Sequence, residues 1–126
     1  MKRDWNVVRV ILERVEDGSL KDYDKRGLYR DELKITQDDF VGHLEILADA
    51  GILKNVTVTR DSLGEFRFCV YDRAFISMAG HDLLDALRDR AVWSRIKDKA
   101  VQSGVGISWE FIKAAIPVVM QELVTL

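Results

Sequence analysis

The sequence has one cysteine, one proline and only a small excess of acidic over basic residues among its 126 residues. A lone cysteine cannot form an internal disulfide, so we expect Cys69 to be a reduced, partly packed thiol in a cytoplasmic protein. With 48% hydrophobic residues, the composition excludes disordered and collagen-like classes. The length predicts a single domain. The net charge of −2 is unusually acidic for a compact nucleic-acid binder.

Long apolar runs are also missing. No run approaches the ~20 residues that a bilayer-spanning helix needs. The opening residues 1–5 include Lys2 and Arg3 but neither a long apolar core nor a small-residue cleavage site, so no signal peptide is recognisable. We therefore expect a cytoplasmic protein without membrane contacts.

Motifs for catalysis or for cofactors are absent as well. The two histidines lie far apart in the sequence, and no Cys-x-x-Cys, His-Glu-x-x-His, Gly-x-Ser-x-Gly or phosphate-loop pattern occurs. His81, Asp82 and Asp85 resemble a weak metal or acid–base site. We favour a structural interpretation, in which both carboxylates lie early in a helix and Asp85 pairs with Arg88. The sequence predicts neither a cofactor nor an enzyme.

Hydrophobic periodicity predicts most of the secondary structure. Apolar residues recur at helical spacing over 4–15, 36–50, 77–88, 91–102 and 109–123, with Thr36 and Ser108 as N-caps and Gly51 ending the second of these helices. Alternation over 52–71, interrupted by the turn 60–65, predicts a β-hairpin. Residues 19–35 carry charges nearly everywhere and indicate at most one or two helical turns around 28–34.

This order of elements is that of a winged-helix domain. We predict a mostly α, α+β fold, with a winged-helix core over 1–76 and a helical C-terminal extension over 77–126 that packs on it within one domain. The segment 44–53 (LEILADAGIL) is typical of the end of a winged-helix third helix entering the first wing strand. The wing itself would be the turn 60–65.

Three segments together resemble a known family: the opening Met1–Asp4, the string 43–51 (HLEILADAG), and 80–88 (GHDLLDALR) followed by Trp93. They resemble a bacterial and phage winged-helix family known as a domain of unknown function, similar to YjcQ-like prophage proteins. The resemblance covers nearly the whole chain. It implies a winged-helix fold in a bacterial or phage setting, and it supplies no catalytic residue or ligand.

The helix over 36–50 would read DNA in a winged-helix protein. At 100° per residue, Phe40, Leu44, Leu47 and Ala48 face the core, and Gly42 faces outward beside the acidic residues. This helix has four acidic residues and no Lys or Arg, so its charge of −4 would repel the DNA phosphates. We instead predict an acidic interaction face formed by Asp38, Glu45, Ile46 and Asp49.

Positive charge gathers over residues 88–99 and beside the wing. We favour a solvated helix face with internal ion pairs for 88–99. The alternative is a surface that contacts phosphate or an acidic partner. Asp61 and Glu65 cancel the charge of the two wing arginines. The candidate contacts are Arg60, Arg67, Arg88, Arg90, Arg95, Lys97 and Lys99.

We therefore predict a non-enzymatic winged-helix interaction module, a phage- or prophage-associated accessory or regulatory protein that acts through protein–protein contacts. The alternative is a small transcriptional regulator that contacts DNA through its wing and the 88–99 patch. A third hypothesis is an inhibitor that presents its acidic helix to a nucleic-acid enzyme in place of phosphates.

Two structural predictions complete the sequence analysis. One is a shared core formed by Trp5, Phe40, Leu44, Leu47, Val56, Phe68, Leu84 and Leu87. The other is a homodimer through the C-terminal helix, which is apolar around most of its circumference. We expect Pro117 to kink or divide this helix. A helix wrapped on its own domain is the alternative to the dimer. The candidate dimer face comprises Trp109, Phe111 and Val118.

Overall fold

A computed structural model describes residues 1–125 of the chain. These residues form two compact units, the first spanning Met1–His81 and the second beginning at Asp82. The boundary lies five residues beyond the predicted one, and the single domain stays a prediction. No helix among the described residues is long and apolar enough to cross a membrane.

The first unit contains four helices, four short strands and the start of a fifth helix. The second contains the rest of that helix and two more. The elements are α1 (Trp5–Glu16), α2 (Leu20–Lys25), α3 (Leu28–Leu33), α4 (Gln37–Asp49), β1 (Leu53–Lys54), β2 (Thr57–Arg60), β3 (Phe66–Val70), β4 (Phe75–Ile76), α5 (Met78–Arg88), α6 (Arg90–Ser103) and α7 (Trp109–Val124). A mostly helical α+β fold and all five predicted helices are confirmed.

Side-chain caps fix where the predicted helices begin. The Thr36 hydroxyl accepts the Asp39 backbone N–H at 3.1 Å, and the Ser108 hydroxyl accepts that of Phe111 at 3.0 Å. Gly51 has a φ of +72°, which lets the Ile52 N–H donate to the Leu47 carbonyl at 2.9 Å. The chain therefore leaves α4 and enters β1 within a few residues, as predicted.

Residues 19–35 are more ordered than the sequence indicates. They form two six-residue helices, of which only α3 matches the predicted turns around 28–34. The helices are joined at Gly27, with a φ of +64°. Tyr23 and Tyr29 are buried, and the Tyr29 ring stacks on Phe40 at a centroid distance of 4.4 Å. This aromatic cluster holds the segment against α4.

The strands form two separate antiparallel pairs. The predicted hairpin over 52–71 is confirmed only as β2–β3, with Thr59 opposite Phe68 and a bulge between Thr59 and Arg60, and residues 52–56 lie outside it. The second pair, β1–β4, was not predicted, and it joins Leu53 to Ile76. Each of its strands is two residues long, too short for an alternating pattern to be recognised.

The predicted burial of the core residues is confirmed for most of those in helices and is wrong in the hairpin, whereas one core shared by all of them stays a prediction. Phe40, Leu44, Leu47, Leu84 and Leu87 are buried. Trp5 and Val56 are only half-buried, and Phe68 is 55% exposed. The alternation of Phe66, Phe68 and Val70 located a strand correctly, but Phe68 and Val70 are exposed, whereas Cys69 on the other side of the strand is half-buried, as is Phe66 at its start.

A close approach between two backbone segments explains why residue 80, the first of the segment 80–88, is a glycine. The Ser77 hydroxyl donates to the Ile52 carbonyl at 3.1 Å and accepts the Gly80 N–H at 3.0 Å. A Cβ at position 80 would lie 2.5 Å from the Ile52 carbonyl oxygen. Only glycine lets the start of α5 lie this close to the backbone.

In the second unit, α6 and α7 pack against each other. The buried side of α7 is a stripe at helical spacing formed by Ile112, Ala115 and Val119. Helix α7 runs unbroken through Pro117, so the predicted division into two helices is wrong. The ring lies on an exposed side of the helix. The predicted kink stays a prediction.

Candidate functional site

The middle of α4 is buried around its whole circumference. Val41, His43 and Leu44 are at most 3% exposed, and Gly42 is buried as well. The predicted outward orientation of Gly42 is wrong, because the Met1 thioether lies where a Cβ at Gly42 would be. A helical wheel gives the direction in which Gly42 points from the axis of α4. It cannot show that the N-terminal segment covers this side of the helix.

His43 fixes the N-terminal segment to α4. Its Nε2 accepts the Asp4 backbone N–H at 3.0 Å, and its Nδ1 lies 2.6 Å from the Asp39 carbonyl oxygen. A carbonyl can only accept, so Nδ1 carries the proton and the ring is the neutral tautomer. His43 is buried, and the backbone engages both of its ring nitrogens.

The predicted acidic face is only partly available to a partner. Asp38 and Asp49 are exposed near the two ends of α4, whereas Glu45 and Ile46 are half-buried. The two Glu45 carboxylate oxygens accept from the Arg60 guanidinium at 3.1 and 3.3 Å. This hydrogen bond to Glu45 raises the pKa of Arg60 above its usual value.

The hairpin presents few free cations. Arg60 donates to Glu45 and to the Gly64 carbonyl, and Arg67 pairs with Asp61 at 2.8 Å. Both predicted wing contacts are therefore neutralised by neighbouring acceptors. The same hairpin exposes about half of the apolar side chains of Phe68 and Val70. The alternation of apolar residues in β3 showed that Phe68 and Val70 share one side of the strand. It did not show that this side is exposed.

Cys69 lies on the opposite side of β3, in a cleft of about 300 Å³ that Val41 and Leu44 of α4 also line. Burial, reinforced by the charges of Asp24 and Glu45, raises the pKa of the Cys69 thiol to about 11. A thiol with this pKa is almost entirely protonated at neutral pH and is a poor nucleophile. The predicted partly packed, reduced thiol is confirmed as a free, half-buried cysteine.

Ion pairs also reduce the charge of the basic patch over 88–99. Arg88 lies 3.1 Å from Asp85, as predicted. Glu122 of α7 accepts from Lys99 at 2.6 Å and from Arg95 at 3.5 Å. These contacts, above all the hydrogen bond from Lys99, lower the pKa of Glu122.

Arg90 and Lys97 remain as the cations of this patch that are exposed and form no ion pair within residues 1–125. Of the expected internal ion pairs over 88–99, the structure has Arg88 with Asp85, whereas Arg95 and Lys99 pair across to α7 rather than within α6.

The candidate dimer face on α7 differs in exposure from residue to residue. Val118 is 48% exposed, whereas Trp109 and Phe111 are half-buried. Lys113 pairs with Glu110 at 2.9 Å, and its ammonium lies 5.5 Å from the centroid of the Trp109 ring. Beyond Lys113, the charged residue of α7 is Glu122, which pairs with Lys99 and Arg95 of α6.

The described residues contain no group of three or more His, Cys, Asp or Glu side chains that could hold a metal ion. His81, Asp82 and Asp85 are all exposed. The site residues predicted from the sequence thus fall into separate groups, on α4 and the hairpin in the first unit and on α5, α6 and α7 in the second.

The chain is similar to an uncharacterized protein of Haemophilus influenzae, with 25% identity over 131 residues that cover 98% of each chain. No solved structure shows a significant match. Residues 2–106 match the family described as "Hypothetical protein (DUF2513)", a range that ends before α7. The chain belongs to the DUF2513 family.

Proposed function

We propose that this chain is a non-enzymatic winged-helix interaction module that acts through protein–protein contacts, as an accessory or regulatory protein associated with phages or prophages. The order of α1, the short helices, α4 and the β2–β3 hairpin supports the winged-helix assignment. The phage setting is supported by the resemblance of the three sequence segments alone.

The burial of α4 is the observation that carries this proposal. A recognition helix must place side chains on base edges in the major groove. The middle of α4 has no exposed side chain to offer, because the N-terminal segment, including Met1 and Asp4, covers the side near Gly42 and His43. The exposed Asp38 and Asp49 would approach the phosphates with like charge.

The pairing of the arginines also favours a protein partner over DNA. Both hairpin arginines and three of the five basic residues in the 88–99 patch are engaged by carboxylates. Each such cation would have to lose its partner before it could contact a phosphate. The exposed Phe68 and Val70 instead provide the apolar area that protein interfaces use.

A selection from random DNA duplexes at physiological salt tests the proposal. We expect no consensus sequence to be enriched. Enrichment of one DNA sequence by the wild-type protein, lost on Gln37→Ala, would overturn the proposal. Gln37 is the residue to change because its amide side chain is exposed on α4.

Weak DNA binding with a steep salt dependence would instead support the alternative function, that of a small transcriptional regulator. We expect the double change Arg90→Glu and Lys97→Glu to abolish such binding, because these two cations are exposed and form no ion pair within the described chain. The matched control is Lys25→Glu with Arg26→Glu, which reverses the same charge at the exposed C-terminal end of α2.

A further inference from the structure

A cleft of about 200 Å³ in the second unit combines an apolar floor with an acidic rim. Its floor is formed by Ala86, Val92, Ile116 and Met120. Ala86 and Val92 are buried, whereas Met120 is 48% exposed and Ile116 is half-buried. Part of the floor is therefore apolar surface left open to solvent.

The floor suits an apolar side chain of variable shape. The Met120 side chain is unbranched and its thioether is polarisable, so it can adapt its packing to different occupants. Methionine is frequent at surfaces that bind apolar faces of helices for the same reason.

Three carboxylates form the rim: Asp82, Asp85 and Asp89. Asp85 pairs with Arg88, and Asp89 accepts the backbone N–H groups of Ala91 and Val92 as the N-cap of α6. The Asp82 carboxylate makes no ion pair or hydrogen bond within the described chain. No Lys or Arg lines the cleft. The rim thus favours a cationic occupant and disfavours nucleic acid or an acidic peptide.

We propose that this cleft binds a cationic amphipathic helix of a partner protein. The apolar side chains of the helix lie on Ile116 and Met120, and its Lys or Arg side chains face Asp82, since Asp85 already pairs with Arg88. A bare metal ion is the poorer match, because the rim carboxylates do not form a metal-binding group. The proposal shares with the proposed function only that the partner is a protein, and it concerns different residues from α4 and the hairpin.

Fluorescence anisotropy with two labelled helix-forming peptides tests this inference. One peptide carries Leu on one face and Lys on the other, and the second has Glu in place of every Lys. We expect saturable binding of the Lys peptide, weakened at high salt, and no binding of the Glu peptide. No binding of the Lys peptide, or equal binding of both, would overturn the inference.

Matched variants locate the contact. We expect Met120→Lys to weaken binding of the Lys peptide about tenfold, because a positive charge enters the apolar floor. Asp82→Lys should weaken it several-fold, whereas Asp98→Lys, the same change at an exposed position of α6 that does not line the cleft, should leave it unchanged. An equal loss with Asp82→Lys and Asp98→Lys would indicate general charge attraction and overturn the inference.

A second copy of the chain is the remaining occupant to exclude. Sedimentation equilibrium of the wild-type protein and of Met120→Lys decides this point. A dimer that dissociates on Met120→Lys would mean that the cleft is covered by another copy and would overturn the inference. Because these measurements use no DNA, their failure leaves the outcome of the duplex selection, and with it the proposed function, unaffected.

Discussion

Helices α4 and α7 differ in how the rest of the molecule covers them. The middle of α4 is enclosed on every side, and its charged residues lie near its ends or pair with the hairpin. Helix α7 buries only the stripe formed by Ile112, Ala115 and Val119, and its other sides leave apolar residues exposed. Helix α4 has the chain position of a winged-helix recognition helix, yet α7 is the helix that leaves more of its side chains accessible.

The largest effect should come from α4. We expect Leu44→Ala to lower the free energy of unfolding by about 2–5 kcal/mol, because the change removes buried apolar surface and leaves a cavity. Denaturant unfolding measures it, and Val118→Ala on α7 is the control. We expect that control to cost less than about 1 kcal/mol, since Val118 is half exposed. Equal costs for the two changes would contradict the comparison.

Removing the imidazole tests how the N-terminal segment is held. We expect His43→Leu to cost about 1–3 kcal/mol, because the Asp4 N–H loses its acceptor and the Asp39 carbonyl loses a donor. The same change at the exposed His81 should alter stability by less than about 0.5 kcal/mol. If His43→Leu is as harmless as His81→Leu, the enclosure of α4 does not depend on this side chain.

The exposed side of α7 tests the predicted homodimer. We expect a dimer at micromolar concentration by sedimentation equilibrium, and Val118→Glu should weaken it about tenfold or more, because a carboxylate enters an uncharged apolar surface. Phe111→Glu should act in the same direction. A wild-type protein that sediments as a 14 kDa monomer would contradict the dimer and favour the alternative, in which α7 covers only its own domain.

The smallest effect concerns the ion pairs of Glu122. Its pKa is lower in the folded chain than the ordinary value of 4.5, because Lys99 donates to it and Arg95 lies nearby. The contribution to stability is therefore present above about pH 4.5 and is lost as the pH falls through the lower folded value. We expect wild type and Glu122→Gln to differ slightly in denaturant midpoint at pH 7 and not at pH 2. A difference that persists at pH 2 would assign the effect to packing.

The sequence predicted elements that carry local signals. Thr36 and Ser108 each precede a segment with strong apolar periodicity, and Gly51 marks the end of α4. These helix boundaries therefore follow from residues close in the chain. Helix α2 lacks a side-chain cap hydrogen bond and is six residues long, so its local signal is weak. Its position depends instead on the burial of Tyr23, which is a tertiary contact.

The candidate site was less predictable, because accessibility depends on residues distant in sequence. The contact of Met1 with Gly42 and the pairing of Arg60 with Glu45 join separate segments of the chain. Alternation in β3 divided Phe68 from Cys69 but could not indicate which of them faces α4. Composition predicted ion pairs over 88–99, whereas the identity of Glu122 as a partner required the packing of α6 on α7.

Cys69 makes the contact between hairpin and α4 measurable in real time. A thiol reagent reacts with the thiolate, and the pKa of about 11 in the packed state lies two pH units above the ordinary 9.0. At pH 8 the thiol is therefore roughly a hundredfold less ionised when packed than after the hairpin separates from Val41 and Leu44. The rate of alkylation, followed by mass spectrometry, thus reports how often this contact opens, and the chain's lone cysteine makes the signal unambiguous without an introduced label.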